Sequence, residues 1–256
     1  DALSRLTGPL GAEQMILFGA GLIVPAAALS HWAYVRCGEP ARGEEKPEHA
    51  HGHLGLGLFR EHPKLVLLLG VILATQVLST ALDLSFQGIL QDEIPGVEEQ
   101  NAFSARFFRT LNMAAFAGQF VLAPLLLRFA SYDIIHMGMP LIHVSTCVFF
   151  AQSPGLVTAG AAYLLFKALD YSVFRAAKEI LYIPYSFNVR YRAKEIIDVF
   201  GYRFGKGGTS LAIILLKGGG LVFSYALYGL LAAAAAGAWL VLIMPVARLK
   251  KVGRGE

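Results

Sequence analysis

Apolar runs of about twenty residues recur along the whole chain, and short polar turns separate them. An α-helix needs about 20 apolar residues to cross the hydrocarbon core of a bilayer. Only helices and closed barrels satisfy every backbone polar group there, because no water is available. The 256-residue chain is 55% hydrophobic and only 16% charged, against roughly a quarter charged in soluble domains. We therefore expect an all-α membrane protein with about seven transmembrane helices, at 13–35, 64–90, 102–127, 133–152, 155–184, 195–216 and 221–247.

A long polar segment, 36–63, divides these spans into two groups. It is rich in Gly, Pro and Glu, which is typical of a flexible connector between two helix bundles. Because the chain begins with Asp instead of Met, we expect it to be the remainder of a longer protein. On this interpretation 1–35 holds the last helix of an N-terminal bundle, 36–63 is a cytoplasmic connector, 64–248 is a C-terminal six-helix bundle and 249–256 is a cytoplasmic tail.

The positive charges of the loops predict the orientation of the spans. With seven spans, thirteen of fifteen loop Lys and Arg fall on one side of the membrane, and only Arg5 and Lys217 fall on the other. Cytoplasmic loops carry the excess of Lys and Arg in membrane proteins. We therefore expect the connector and the C-terminus to be cytoplasmic.

Residues 167–206 carry many charges although apolar spans flank them. Charged side chains inside a bilayer are costly and usually serve pairing or the handling of an ion or polar substrate. At 100° per residue, two faces of mixed charge result. The first comprises Lys167, Asp170, Tyr171, Phe174 and Lys178 with Arg175 at its border, and the second comprises Glu195, Asp198, Tyr202 and Lys206 with Arg203 at its edge.

These charges allow two interpretations. The five cations Lys167, Arg175, Lys178, Arg203 and Lys206 can line a cavity for an anionic substrate, since Arg and Lys both bind phosphate groups. Alternatively, acidic neighbours neutralise them in structural ion pairs that lock two helices together. The two can also alternate during transport. The acidic candidates are Asp170, Glu179, Glu195 and Asp198.

Polar residues also mark one face of the span at 64–90. Asp83 lies there with Gln76, Thr80 and Gln87. A cavity role predicts that Asp83 couples protons or pairs with a Lys, whereas the alternative is an ordinary hydrogen bond between membrane helices.

The remaining sequence features give weaker indications of function. Arg106 lies near the outer end of its span, where snorkelling to lipid head groups is the simpler interpretation. The glycines at 205, 207 and 208 favour close helix approach. His49, His51 and His53 lie in the connector and are typical of a solvated tract, so we expect no metal site. No Ser/His/Asp or Cys/His arrangement is identifiable, so we expect neither an enzyme nor a cofactor.

Three segments together resemble the ATP/ADP translocase family. They are KEILYIP at 178–184, RAK at 192–194 and IDVFGYRFGK at 197–206. Members of this family transport nucleotides, occur in plastids and intracellular bacteria with relatives in free-living bacteria, and share a twelve-span fold like that of the major facilitator superfamily. The resemblance implies that Lys178, Asp198, Arg203 and Lys206 lie in the central cavity. It also matches Asp83 to a family carboxylate, while Gln87 stands where a Lys is usual.

The expected function is alternating-access transport, or antiport, of a nucleotide or other phosphorylated anion, in a bacterial inner membrane. The partners we expect are an anionic small molecule and the lipid bilayer, with no nucleic acid. Two alternatives remain: a structural or assembly subunit of a larger membrane complex, and a transporter of a lipid or other amphiphile. The residues expected to contact substrate are Lys178, Arg203, Lys206, Asp83, Asp198, Glu179, Lys167, Arg175, Tyr171 and Tyr202.

Overall fold

Every regular element in the described part of the chain is helical. The structure is a computed structural model that describes residue 17 and residues 20–21, 23–38 and 57–247. The tail at 249–256, most of the connector with His49, His51 and His53, and the start of the first predicted span lie outside the described residues. The helices are α1 (Ile23–Cys37), α2 (Leu58–Glu61), α3 (Pro63–Glu93), α4 (Val97–Phe129), α5 (Tyr132–Gln152), α6 (Leu156–Leu181), α7 (187–218) and α8 (Tyr225–Ala247).

Within these ranges, five helices are long and apolar enough to cross a membrane. They are α3, α4, α5, α6 and the Tyr225–Val246 part of α8. Helix α7, which contains the sixth predicted span, is not among them, because its central stretch carries Arg203, Lys206 and several glycines. The prediction of an all-α membrane protein is confirmed.

For the spans predicted from residue 64 onward, the predicted limits agree with the helix limits to within five residues, with one exception. The segment 185–194, predicted as a basic loop, becomes helical at Phe187. Only residues 182–186 separate α6 from α7, and Pro184 lies in that turn. At the other end of α7 the predicted glycine turn is present. Gly220 has a φ of 94°, and the Leu221 N–H donates to the carbonyl of Leu216 at 3.0 Å, which closes the helix as a left-handed C-terminal residue commonly does.

Helix α3 is the centre of the packing. The chain forms two units, Asp1–Ala50 and His51–Glu256, and the packing described below belongs to the second. There α3 contacts α6, α7 and α8, and α8 also packs along α5. Two thirds of the most apolar stretch of α3 is buried, against 17% for α4, whose main neighbour is α6. Helix α4 therefore presents most of its surface outward.

Three segments inside the long helices are π-helical: Gly118–Leu122 in α4, Asp170–Phe174 in α6 and Glu195–Gly201 in α7. A π-turn closes with an i→i+5 hydrogen bond and is common at functional sites. The extra residue in a π-turn rotates the side chains that follow it about the helix axis. The helix faces predicted at 100° per residue therefore do not continue past these segments. Phe174 shows the result, because it is fully buried with its ring 4.8 Å from that of Trp239. Its predicted place on the charged face of α6 is wrong.

The glycines of α7 differ in their surroundings. A Cβ on Gly205 would lie 2.7 Å from the Cβ of Gln76 in α3, so only glycine permits this approach. A Cβ on Gly207 or Gly208 would meet no described atom within 4 Å. The prediction of close helix packing is confirmed for Gly205, and for the other two no described residue tests it.

Candidate functional site

Asp83 joins three helices. Its Oδ1 accepts a hydrogen bond from the Tyr163 hydroxyl of α6 at 3.2 Å, and its Oδ2 forms an ion pair with Lys206 of α7, also at 3.2 Å. The Asp83 side chain is 24% exposed and that of Lys206 is 54% exposed. The Asp83 carboxylate is therefore partly shielded from solvent, whereas the Lys206 side chain is exposed at the surface of the described helices.

A second ion pair, between Lys178 of α6 and Asp198 of α7, is more deeply placed. The Lys178 Nζ lies 2.7 Å from the Asp198 Oδ1 and 5.3 Å from the centre of the Tyr202 ring. The Lys178 side chain is only 5% exposed, against 29% for Asp198. An ammonium group so far from water depends on its counter-charge and on the ring face beside it.

Glu179 pairs with Lys194 instead of a predicted substrate-contacting cation. The Lys194 Nζ lies 2.5 Å from the Glu179 Oε2, and both side chains are well exposed. This pair joins the last turn of α6 to the first turns of α7.

Next to it, the Arg190 guanidinium donates to the backbone carbonyls of Tyr182, Ile183 and Tyr185 at 2.9 to 3.3 Å. Burial of Tyr182 raises the pKa of its hydroxyl, so this side chain stays neutral beside the charges.

Lys167 lies in an aromatic setting. Its Nζ donates to the Ser79 hydroxyl of α3 at 2.8 Å. It also lies 5.4 to 5.8 Å from the ring centres of Tyr163, Phe166 and Tyr171. Within the described part of the chain no carboxylate forms an ion pair with it, so its positive charge is held by ring faces and one hydroxyl.

Arg175 and Arg203 are exposed, and neither forms an ion pair with another described residue. Along α7, Arg203 lies between Asp198 and Lys206, whose eight-residue separation corresponds to about 12 Å of helix. The two ion pairs are thus about 12 Å apart along α7, and Arg203 lies between them in the sequence.

Asp170 was expected to neutralise neighbouring cations in the π-helical segment of α6. Asp170 is 8% exposed, and its charge interacts with those of Lys167, Arg175 and Lys178. Its Oδ1 nevertheless has no hydrogen-bond partner among the described residues. The expected ion pair through Asp170 is therefore absent from the described contacts. Glu195 is exposed.

Three residues that contact the site, Tyr163, Ser79 and Arg190, were not predicted from the sequence. Tyr163 and Ser79 each lie four residues before a predicted site residue, Lys167 and Asp83 respectively, on the same helix face. Extending each charged stripe by one turn would have found both. Arg190 had been placed in a loop, where its local backbone contacts could not be foreseen.

The arrangement defines a helical membrane protein with a cation-rich polar site among α3, α6 and α7. The family model described as TLC ATP/ADP transporter matches residues 98–251. The chain belongs to this family.

Two curated relatives match the chain. "ADP,ATP carrier protein 1" of Chlamydia muridarum is 28% identical over 66% of this chain and 35% of the relative. The protein of the same name in Chlamydia trachomatis is 27% identical over the same shares. The chain therefore spans about a third of the length of the curated relatives it matches. No solved structure matches it significantly.

The Lys178–Asp198 pair generates a stability prediction. Replacing Asp198 with Asn leaves the buried Lys178 ammonium without its ion-pair partner, whereas Lys178→Met leaves Asp198 where water can reach it. Asp198→Asn should therefore destabilise the protein more. The cost should stay below the roughly 3–5 kcal/mol of breaking a fully buried pair. The double variant should recover much of the loss in a melting curve.

Glu179→Gln is the matched control, because it breaks an exposed pair between the same two helices. That change should alter stability by less than about 1 kcal/mol. Equal losses in Asp198→Asn and Lys178→Met that simply add in the double variant would contradict the account of the buried pair.

Proposed function

We propose that residues 64–248 form a cation-lined bundle of an alternating-access transporter for a nucleotide or other phosphorylated anion. The observation that carries this proposal is the surplus of positive charge among α3, α6 and α7. Lys167, Arg175 and Arg203 form no ion pair with a described residue, and the paired Lys206 is more than half exposed. A polyanion would supply the missing negative charge.

Phosphate groups bind in competition with the carboxylates of the site. Lys206 is the first contact, because it is accessible and its ion pair with Asp83 is long. Arg203, one turn before it, offers a two-pronged donor for phosphate oxygens. Lys178 is reached only when α6 and α7 separate enough to release Asp198. When the site empties, Asp83 and Asp198 take the two lysines back, so neither ammonium is left uncompensated.

The relatives support a nucleotide as the substrate. Both are named as carriers of ADP and ATP, and the matched region includes α6 and α7 with their charged side chains. Together with the charge surplus, this favours ATP and ADP over other phosphorylated anions, and exchange of one for the other as the transport mode.

A scaffold role is the second candidate, and Gln87 of α3 favours it, because a Lys is usual at this position in the family. Met113, Phe116 and Phe120 are each more than 60% exposed along α4, and lipid would cover this apolar face in either function. A scaffold would bind no anionic ligand at the cations of α6 and α7, so ATP binding distinguishes the two functions.

The variants Lys206→Gln and Arg203→Gln test the transport proposal. Each should weaken ATP binding to the full-length protein by at least about tenfold, since hydrogen bonds to charged groups contribute roughly 1.5–3 kcal/mol. ATP binding is measured by equilibrium titration and by the rise in melting temperature that a ligand of the folded state causes.

Lys217→Gln is the control on the same helix. Lys217 lies in the last turn of α7, 5.5 Å from the ring of Tyr228 and away from the site, and its loss should leave ATP binding unchanged. Lack of any ATP-dependent change in the wild-type melting curve would favour the scaffold.

We also propose that the α4–α5 and α6–α7 turns face the cytoplasm of a bacterium, as the distribution of Lys and Arg indicates. With Cys37 and Cys147 replaced by Ser, a single Cys at Ser131 should resist a membrane-impermeant thiol reagent added to intact cells. A single Cys at Ser153, in the opposite turn, should react. The reverse pattern would overturn this orientation.

A further inference from the structure

A cavity of about 300 Å³ lies where the ends of three membrane-spanning helices meet. The span of α3 begins at Pro63, that of α6 ends at Leu181 and that of α8 ends at Val246, and all three residues line it. The boundary of the hydrocarbon core therefore passes close to the cavity, which places it at the depth of the lipid head groups. The other described lining residues are Glu61, His62, Lys64, Pro184 and Tyr185.

The cavity has an apolar wall, and contacts between the helix ends hold its shape. Leu181 and Val246 are both buried and belong to the hydrophobic core. The Tyr185 ring meets the His62 ring edge-on, with 5.3 Å between the ring centres. The Arg190 guanidinium fixes the backbone around Tyr185 through three hydrogen bonds to carbonyls of the α6–α7 turn. The cavity is therefore largely preformed, as ligand sites usually are.

Cationic side chains lie at the start of α3, beside the cavity. Lys64 is exposed in the first turn of this helix and forms no ion pair with another described residue. Arg60, which precedes the lining residue Glu61, is exposed too. The N-terminus of α3 adds a partial positive charge. Arg60, Glu61 and Lys64, the rim of the cavity, thus carry a net positive charge.

The rim and the apolar wall match the two parts of an anionic phospholipid. A phosphate at the rim would balance its positive charge, and an acyl chain would extend along the apolar wall into the hydrocarbon core. Basic pockets between membrane helices bind anionic head groups in this way, and Tyr185 lies at the interfacial depth where tyrosine is enriched. A zwitterionic lipid would gain less at the rim, because its head group has no net charge. A soluble phosphate would leave the apolar wall uncovered.

We propose that this cavity binds an anionic phospholipid, which bridges the start of α3 to the α6–α7 turn and the end of α8. The inference does not depend on the proposed transport function, because no described lining residue belongs to the ion-paired site of Asp83 and Asp198. A lipid that binds the folded bundle at three helix ends stabilises it, as any ligand of the folded state does.

The test uses the full-length protein, purified in a neutral detergent, with phosphatidylglycerol, phosphatidylcholine and glycerol 3-phosphate as probes. Phosphatidylglycerol should raise the melting temperature and should remain bound in native mass spectrometry. Phosphatidylcholine, which has no net charge, and glycerol 3-phosphate, which has no acyl chains, should have little effect at the same concentration.

Variants of Lys64 locate the site. Lys64→Gln should weaken phosphatidylglycerol binding roughly fivefold, as expected for one cation at an anionic lipid surface, and Lys64→Glu should weaken it further. Arg128→Gln is the matched control, because Arg128 is an exposed cation near the α4–α5 turn, next to Phe129 and outside the cavity lining. Lys206→Gln is a second control, which separates this cavity from the ion-paired site. Both controls should leave phosphatidylglycerol binding unchanged.

Three results would overturn the proposal. Equal stabilisation by phosphatidylglycerol and phosphatidylcholine, or equal losses in Lys64→Gln and Arg128→Gln, would indicate a general effect of lipid on the bundle. A response to glycerol 3-phosphate as large as that to phosphatidylglycerol would indicate a site for soluble phosphates. Absence of any lipid effect would exclude a lipid, and a loss of stability on deletion of residues 249–256 would then identify the tail as the occupant.

Discussion

Asp83 links the three helices of the candidate site, α3, α6 and α7, through one hydrogen bond and one ion pair. One carboxylate in the central helix α3 binds a hydroxyl of α6 and an ammonium group of α7. Packing between membrane helices gains little from the hydrophobic effect, since lipid is as apolar as the side chains, and depends on close contact and polar links. Gly205 against Gln76 supplies the close contact between α3 and α7, and Asp83 supplies the polar link.

The ion pairs of this site are suited to exchange of partners. A buried pair gains little net free energy, because desolvation offsets most of the attraction, yet either partner alone is costly. In the proposed transport cycle, Lys178 and Lys206 pass from Asp198 and Asp83 to a phosphate group at small net cost, whereas an empty site without the carboxylates would be unfavourable. In the same proposal Lys167, which ring faces and a hydroxyl hold, needs no such release before it meets an anion.

The membrane spans, and which residues belong to the charged segment 167–206, were predictable from the sequence. Which cation forms an ion pair with which carboxylate was not. Length and apolarity place α3 to α6 and α8 directly, since a bilayer demands little else of a helix. The π-helical segments have no comparable signal, and they rotate α6 and α7 so that Phe174 packs in the core. Which cation meets which carboxylate depends on that rotation. Glu179 thus pairs with Lys194, and Asp170 has no ion-pair partner in the part of the chain that the structure describes.

The central proposal is that the cations of α6 and α7, both paired and unpaired, bind the phosphate groups of a nucleotide. The most direct measurement is the affinity of the wild-type protein for ATP, ADP, AMP and adenosine at one fixed ionic strength. The account predicts that affinity falls with each phosphate removed, and that added salt weakens ATP binding far more than adenosine binding. Equal affinity for all four ligands, with no dependence on salt, would contradict it.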